Sequence, residues 1–373
     1  MSKDSTKTRV VEVGNVTIGG DNPVVVQSMA NTDTKDTEST LSQIRELAEI
    51  GCEIVRVAVP DMEAAEALKS IVPRSPIPLV ADIHFDGRLA LEALEAGIDK
   101  LRLNPGNITD LGTIQEIAIA ASELSVPIRV GVNTGSLSEE VVEKYGGRTP
   151  EAMVASAREE IGILEGQGFE DIVVSLKSSD VIKTISANRL FASQFDYPLH
   201  LGVTEAGGGR RGLVKSSLGI GPLLMEGIGD TIRISLTGDP AQEVAAAYEI
   251  LRALGLRSEG VDIISCPTCG RVEMDVSSIV EILEDRLADI SEPIRLAVMG
   301  CVVNGIGEAG EADYGLVGTP KGALLYRGGE QFDTISSSTP EEIADKLEGL
   351  IRDDMPMDKN DKWKEKVRLD NEN

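Results

Sequence analysis

The sequence predicts an α/β protein in which a (β/α)8 TIM barrel is followed by a small α+β domain. Three observations predict it. Eight short β-branched runs alternate with longer amphipathic stretches over the first 256 residues, the alternation stops after Leu256, and 373 residues suit two domains better than one or four.

The candidate strands are residues 23–29, 54–59, 78–84, 100–106, 127–133, 171–177, 198–205 and 231–238. Between them apolar residues recur at helical spacing, as in Leu41, Ile44, Leu47 and Ile50, or Met153, Val154, Ala157, Ile161 and Leu164, which gives each helix one buried face. Thr149-Pro150 and Asp239-Pro240 each place a side-chain acceptor at a helix N-cap and a proline at the first helical position, where a missing N–H costs nothing. Eight βα units in about 250 residues form the pattern of a (β/α)8 barrel, with a doubly wound open sheet as the alternative.

Residues 257–351 read as the second domain, with three of the four cysteines, a helix from Val276 to Leu287, a glycine-punctuated strand pair around Tyr314 to Tyr326 and a last amphipathic helix from Glu341 to Ile351. Residues 352–373 carry six basic and seven acidic residues with Trp363 as their only aromatic, and read as a charged, disordered tail.

Composition narrows the function. Lys and Arg number 36 against 62 Asp and Glu, a net charge of −26, and aromatics make up 3% of the chain. Such a chain repels a phosphate backbone and has few rings on which bases can stack, so nucleic acid is not expected as a partner. The polar start MSKDSTKTRV lacks an apolar signal segment, and no run approaches 18 apolar residues, so neither export nor a membrane is expected. The expected location is the cytoplasm, where cysteines serve as metal ligands or redox groups rather than disulfides.

In a barrel of this type the chemistry sits at the C-terminal strand ends. There the sequence places Arg56, Asp82, His84, Arg102, Asn104, Arg129, Asn133, Lys177 and Glu205, with His200 and Ser235 inside the last two strands. A charge inside an apolar strand is costly unless paired, and an internal salt bridge such as Arg102 with Asp82 would satisfy that need. Taken together, however, three arginines and a lysine against two acids leave a positive excess, which calls for an anionic ligand, a carboxylate or phosphate. The segment Gly207 to Gly212, with Arg210 and Arg211, follows the seventh strand, where such barrels often bind phosphate.

Cys266-Pro-Thr-Cys269 is followed after 31 residues by Cys301. A CxxC pair alone suits a redox dithiol, a zinc half-site or a cluster half-site. A dithiol leaves Cys301 without a role, and zinc lacks a fourth ligand, because both histidines and Cys52 fall in the barrel. An iron–sulfur cluster is favoured, with three thiolates on a [4Fe-4S] cube and the fourth iron free for another ligand. Cys52 reads as a small buried hydrophobe.

From about Val24 to Ile351 the chain resembles the bacterial 4-hydroxy-3-methylbut-2-enyl diphosphate synthase family of the non-mevalonate isoprenoid pathway. The resemblance rests on QSMANTDT (27–34), VADIHFD (80–86), LRLNPGN (101–107), RVGVNTGSL (129–137), HLGVTEAG (200–207), GIGDTIRISLTG (227–238), CPTCGR (266–271) and MGCVVNGIGE (299–308). It implies an oxidoreductase that opens the ring of 2-C-methyl-D-erythritol 2,4-cyclodiphosphate and removes a hydroxyl with two electrons from a flavodoxin or ferredoxin. It further implies a [4Fe-4S] cluster on Cys266, Cys269, Cys301 and Glu308, diphosphate contacts from Arg56, Arg102, Arg129, Lys177 and Ser235, and Glu205 as an acid near the reacting hydroxyl. Asp82, His84, Asn104, Asn133 and Arg210 fall in the same motifs. A head-to-tail homodimer is implied too, with the cluster of one chain over the barrel of the other. The chain departs from the family pattern at Ile306, where proline is common. Two readings compete: a Schiff-base aldolase using Lys177, and a non-enzymatic iron–sulfur carrier.

Overall fold

Short parallel strands with apolar residues on one side and polar ones on the other build the first of two compact units, Met1–Arg257 and Ser258–Asn373. The computed structural model describes residues 7–104, 108, 110–257, 260–336 and 339–355. A hairpin, β1 (Val11–Val13) and β2 (Val16–Ile18), precedes eight strands: β3 (Val25–Met29), β4 (Ile54–Ala58), β5 (Leu79–Asp82), β6 (Lys100–Leu103), β7 (Ile128–Asn133), β8 (Ile172–Lys177), β9 (His200–Leu201) and β10 (Thr231–Ile232). The hydrogen-bonded order runs β8-β7-β6-β5-β4-β3-β10-β9, and a parallel bridge between Val174 and Leu199 joins the two ends. The ring is closed. Carried from strand to strand, the level of Gln27 re-enters β3 eight residues earlier, at Gly19, which is the shear of a TIM barrel.

Helices α1 (Thr37–Glu49), α2 (Met62–Ile71), α3 (Gly87–Glu95), α4 (Leu111–Glu123), α5 (Glu139–Lys144), α6 (Pro150–Glu165), α7 (Val181–Ala192), α8 (Gly209–Met225) and α9 (Pro240–Ala253) follow the strands. Most begin on a capping acid: Asp36, Asp61, Asp86, Asp110, Asp180 and Asp239 each accept a backbone N–H of the first turn. Thr149 caps α6 in the same way, and α8 starts at Gly208 with no side-chain cap.

All eight expected strands are present, but the last two are much shorter than the sequence suggested. Beyond β10 the Leu236 N–H donates to the Glu243 carboxylate of α9 instead of to a neighbouring strand, at 3.0 Å. Beyond β9, Glu205 and Gly207 adopt positive φ and turn the chain toward α8. The hairpin β1–β2 was not expected. It packs Val13 and Ile18 against Val25, Ile54 and Val80, closing the N-terminal end of the barrel.

The second unit comprises β11 (Val261–Ser265), α10 (Val276–Arg286), β12 (Ile294–Met299), α11 (Val302–Gly310), β13 (Tyr314–Thr319), β14 (Gly322–Arg327), β15 (Glu330–Ile335) and α12 (Pro340–Asp354). Its sheet runs in chain order, with β11, β12 and β13 parallel and β14 and β15 antiparallel. Ile279 and Leu283 of α10 and Leu347 and Ile351 of α12 fill one core, and Ala309 of α11 packs with Ala297 of β12 and Val317 of β13 in a second. The final helix runs through Arg352, which bonds to Asp289 at 2.9 Å. The expected tail from residue 356 onward lies outside the described residues.

Candidate functional site

Along each barrel strand, residues that pack on the helices, such as Val55 and Val57, Leu101 and Leu103, or Ile128, Val130 and Val132, alternate with residues facing the lumen. The lumen rises in layers from an apolar floor of Val13, Ile18 and Val25, which packs on Ile54 and Val80. By strand parity and register Lys100 and Thr231 lie above it in one layer with Ile54 and Val173, Gln27, Arg129 and His200 in the next with Val80, then come Arg56, Arg102, Arg233 and Ser175, then Asp82 with Gly131 and Gly202, and last Asn104, Lys177 and Ser235. Bulky aliphatic residues fill these layers in most such barrels. Here six cations share them.

The two glycines make room for two of those cations. A Cβ at Gly131 would lie 2.9 Å from the Arg102 Nε, and one at Gly202 would lie 2.7 Å from the Lys177 Nζ. Asp82 ties the cations together, with its carboxylate 3.6 Å from the Arg56 Nε and 3.2 Å from an Arg102 nitrogen. Burial alone would raise the Asp82 pKa, but the charges of Arg56 and Arg102 and the bond with His84 outweigh it and hold the carboxyl well below the usual range. Arg129 donates one bond, to the Ser175 hydroxyl at 2.9 Å, and its Nε and second terminal nitrogen make none. Burial first, and then the charges of the other cations, lowers the pKa of both Arg129 and Lys177 well below normal. Arg233 is held by Glu243 at 3.0 Å and donates to the Ser235 hydroxyl at 2.6 Å.

At the rim, His84 stands half exposed, with both ring nitrogens within 2.9 Å of an Arg102 terminal nitrogen. Asn104 is buried just past β6, and its side-chain oxygen has no partner. Asn133 ends β7 level with Lys177. Glu205 is exposed in the turn before α8 with φ +52°, one of two non-glycine residues in the left-handed region among the described residues. That conformation costs a non-glycine residue about 1–2 kcal/mol. Arg210, expected in a glycine loop, instead lies in the first turn of α8.

In the second unit Cys266 follows β11 and Cys301 caps α11 directly after the neighbouring strand β12. The Gly300 N–H donates to the Cys266 Sγ at 3.1 Å, while the Gly300 carbonyl accepts from the Glu273 N–H at 2.8 Å. The loop bearing Cys269 is thereby pinned beside Cys301. Glu308 is exposed on α11, seven residues after Cys301 and so on the same helix face. Cys266, Cys269 and Cys301 are free thiols. A thiol set with a backbone N–H directed at one sulfur suits an iron–sulfur group, whose sulfurs take such bonds. Among the described residues no three His, Cys, Asp or Glu side chains surround a single ion position. Ligands of a cube each take a different iron, so they need not meet at one point.

The profile of the GcpE TIM-barrel domain matches residues 8–248, and that of the GcpE protein C-terminal domain matches residues 262–353. The chain belongs to the GcpE family. It is 56% identical over 345 residues to the 4-hydroxy-3-methylbut-2-en-1-yl diphosphate synthase (flavodoxin) of Geobacter sulfurreducens, covering 92% of this chain and 96% of that protein. Proteins of the same name from Caldanaerobacter subterraneus subsp. tengcongensis, 52% identical over 95% of this chain and 100% of theirs, and from Maridesulfovibrio salexigens, 57% identical over 87% and 90%, are similar in the same way.

Within this GcpE chain the lumen gathers Arg56, Asp82, Arg102, Arg129, Lys177 and Ser235, as strand-end reasoning had grouped them. Arg233, Lys100, Gln27 and Glu243 were missed. Arg233 lies two residues from Ser235 and Lys100 two from Arg102, so the period of two along each strand was the signal that could have found them. Cys52 is buried, donates to the Ile54 carbonyl at 3.2 Å, and has its thiol pushed up to about 12 by burial. Among the described residues no helix is long and apolar enough to cross a membrane.

Proposed function

We infer that this GcpE protein catalyses the reductive ring opening and dehydroxylation of 2-C-methyl-D-erythritol 2,4-cyclodiphosphate to 4-hydroxy-3-methylbut-2-enyl diphosphate, in the cytoplasm. The observation that carries the reading is the cationic lumen, in which, among the described residues, Arg129 and Lys177 form no ion pair with an acid, in a chain whose second unit bears three free thiols. Two linked phosphates offer the charge such a lumen lacks. Arg56, Arg102, Arg129 and Lys177 bind them, and Asp82 fixes the first two arginines in place. Arg233 donates to the Ser235 oxygen, which leaves the hydroxyl proton of Ser235 free for a phosphate oxygen. Asn104, Asn133, His84 and Arg210 stand at the rim, where the carbon skeleton and the outer phosphate would lie. Glu205 delivers the proton with which the hydroxyl departs as water.

Cys266, Cys269, Cys301 and Glu308 would hold a [4Fe-4S] cluster, which would supply single electrons drawn from a flavodoxin or ferredoxin. The reading includes a head-to-tail homodimer in which the second unit of one chain serves the barrel of its partner. Mixing a Cys301→Ser chain with a Glu205→Gln chain tests that arrangement, because only pairing in trans rebuilds an intact site. Restored turnover supports it, and none counts against it. The reaction itself is tested by incubating anaerobically reconstituted protein with the cyclodiphosphate and a one-electron reductant and following phosphorus resonances. A fully clustered protein that leaves the substrate unchanged would overturn the assignment, and borohydride trapping at Lys177 would favour an aldolase.

A further inference from the structure

The lower lumen holds buried polar groups of which this reaction uses only Arg129. Gln27, Lys100 and His200 are at most 1% exposed. The Lys100 Nζ, both amide atoms of Gln27, the His200 Nε2, and two nitrogens of Arg129 make no hydrogen bond. These side chains share two adjacent layers with Ile54, Val173 and Val80, under Arg56, Arg102 and Arg233 and above the floor formed by Val13, Ile18 and Val25.

Among the described residues no acid in these layers offsets Lys100 or Arg129. Burial first, and then the charges of Arg129 and Arg56, lowers the Lys100 pKa to about 7, while burial and the surrounding cations hold His200 well below its ordinary value, so that it is a neutral donor rather than a charge. Asp82 is already engaged by Arg56 and Arg102, and Glu243 by Arg233. Buried cations in this position must either shed a proton or acquire an anion.

We propose that the closed end of the barrel binds one small monovalent inorganic anion of the halide class, held by Lys100, Arg129, Gln27 and His200. The donors are side-chain tips on four different strands, β3, β6, β7 and β9, in two adjacent lumen layers. Separate side-chain donors suit a spherical ion, which imposes no direction on them. His200 contributes an Nε2–H when its Nδ1 accepts from the Thr231 hydroxyl, 2.6 Å away. The Gln27 amide turns its NH2 toward the ion. Gln27, Lys100 and His200 are outside the groups assigned to the cyclodiphosphate and only Arg129 is shared with it, so the test is read at Lys100.

The probe is bromide. Crystals of the full chain grown in bromide, with data collected at its absorption edge, are expected to show an anomalous peak within hydrogen-bond distance of the Lys100 Nζ. In solution, bromide replacing gluconate at constant ionic strength is expected to raise Tm by about 3 °C for each tenfold increase above half-saturation. Lys100→Met should lose both the peak and the Tm response. Density for water alone in the wild type overturns the proposal without any variant being made. A peak or Tm response that survives in Lys100→Met marks an adventitious ion only, and overturns it equally.

Discussion

The Arg102 guanidinium occupies the space that Gly131 leaves open, within 2.9 Å of where a Cβ would stand. Gly131→Ala forces that side chain out of the lumen while the strand itself is undisturbed, since the φ of Gly131 is not positive. Losing one charged contact to an anion costs about 1.5–3 kcal/mol, so affinity for the cyclodiphosphate is expected to fall about 10- to 100-fold. Titration calorimetry with the substrate, alongside a circular dichroism spectrum that matches wild type, checks it.

Glu205 combines an exposed carboxyl with a left-handed backbone. Glu205→Gln is expected to retain fold and substrate affinity and to lose turnover. Glu205→Gly should lose turnover as well, yet gain about 1 kcal/mol in stability by relieving the backbone. Denaturant unfolding and a turnover assay on both variants separate the two effects. Wild-type turnover in Glu205→Gln removes this residue from the proton step.

Glu160 of α6 is buried, accepts from the Ser156 hydroxyl at 3.2 Å, and has its carboxyl pushed up to about 7, chiefly by burial, against the opposing pull of Ser156 and Arg102. Its folded pKa exceeds its unfolded one, so the unfolded chain releases this proton first as pH rises. Stability tied to Glu160 is therefore intact below about pH 4 and falls between there and about pH 7, by up to about 3 kcal/mol. Glu160→Gln should flatten that part of the curve of unfolding free energy against pH. An unchanged curve would show that the carboxyl ionises normally.

Cys301 and Cys52 are predicted to behave oppositely. Cys301→Ser should abolish both the visible absorbance of the reconstituted cluster and turnover. Cys52→Ser, in a buried site on the outer barrel core, should keep both and lose about 1–2 kcal/mol of stability. Absorbance after anaerobic reconstitution distinguishes them directly.

Much of the barrel was legible because short β-branched runs alternate with amphipathic stretches, and Thr149-Pro150 and Asp239-Pro240 mark two of the helix starts. What a strand's sequence alone does not say is which of its two faces looks into the lumen. That follows from the register of its neighbours, although Arg233, two residues before Ser235, shares its face whichever face that is. The three-residue strands of the hairpin are too short for periodicity, although Gly14-Asn15 between them is a turn signal. The cysteine spacing was readable from the chain itself. Glu308 was not, because an exposed acid on a helix has no local signature, and only the family resemblance singled it out. The left-handed Glu205 had no signature either, since its backbone is set by the turn from β9 into α8.

The hairpin under the barrel makes the lumen a blind-ended well. Whatever enters past His84 and Asn133 must leave by the same opening, so substrate, product and displaced water share one route and exchange in turn. Access to the bottom layers therefore depends on what occupies the top ones, and a ligand seated among the arginines would also act as the stopper for everything beneath it.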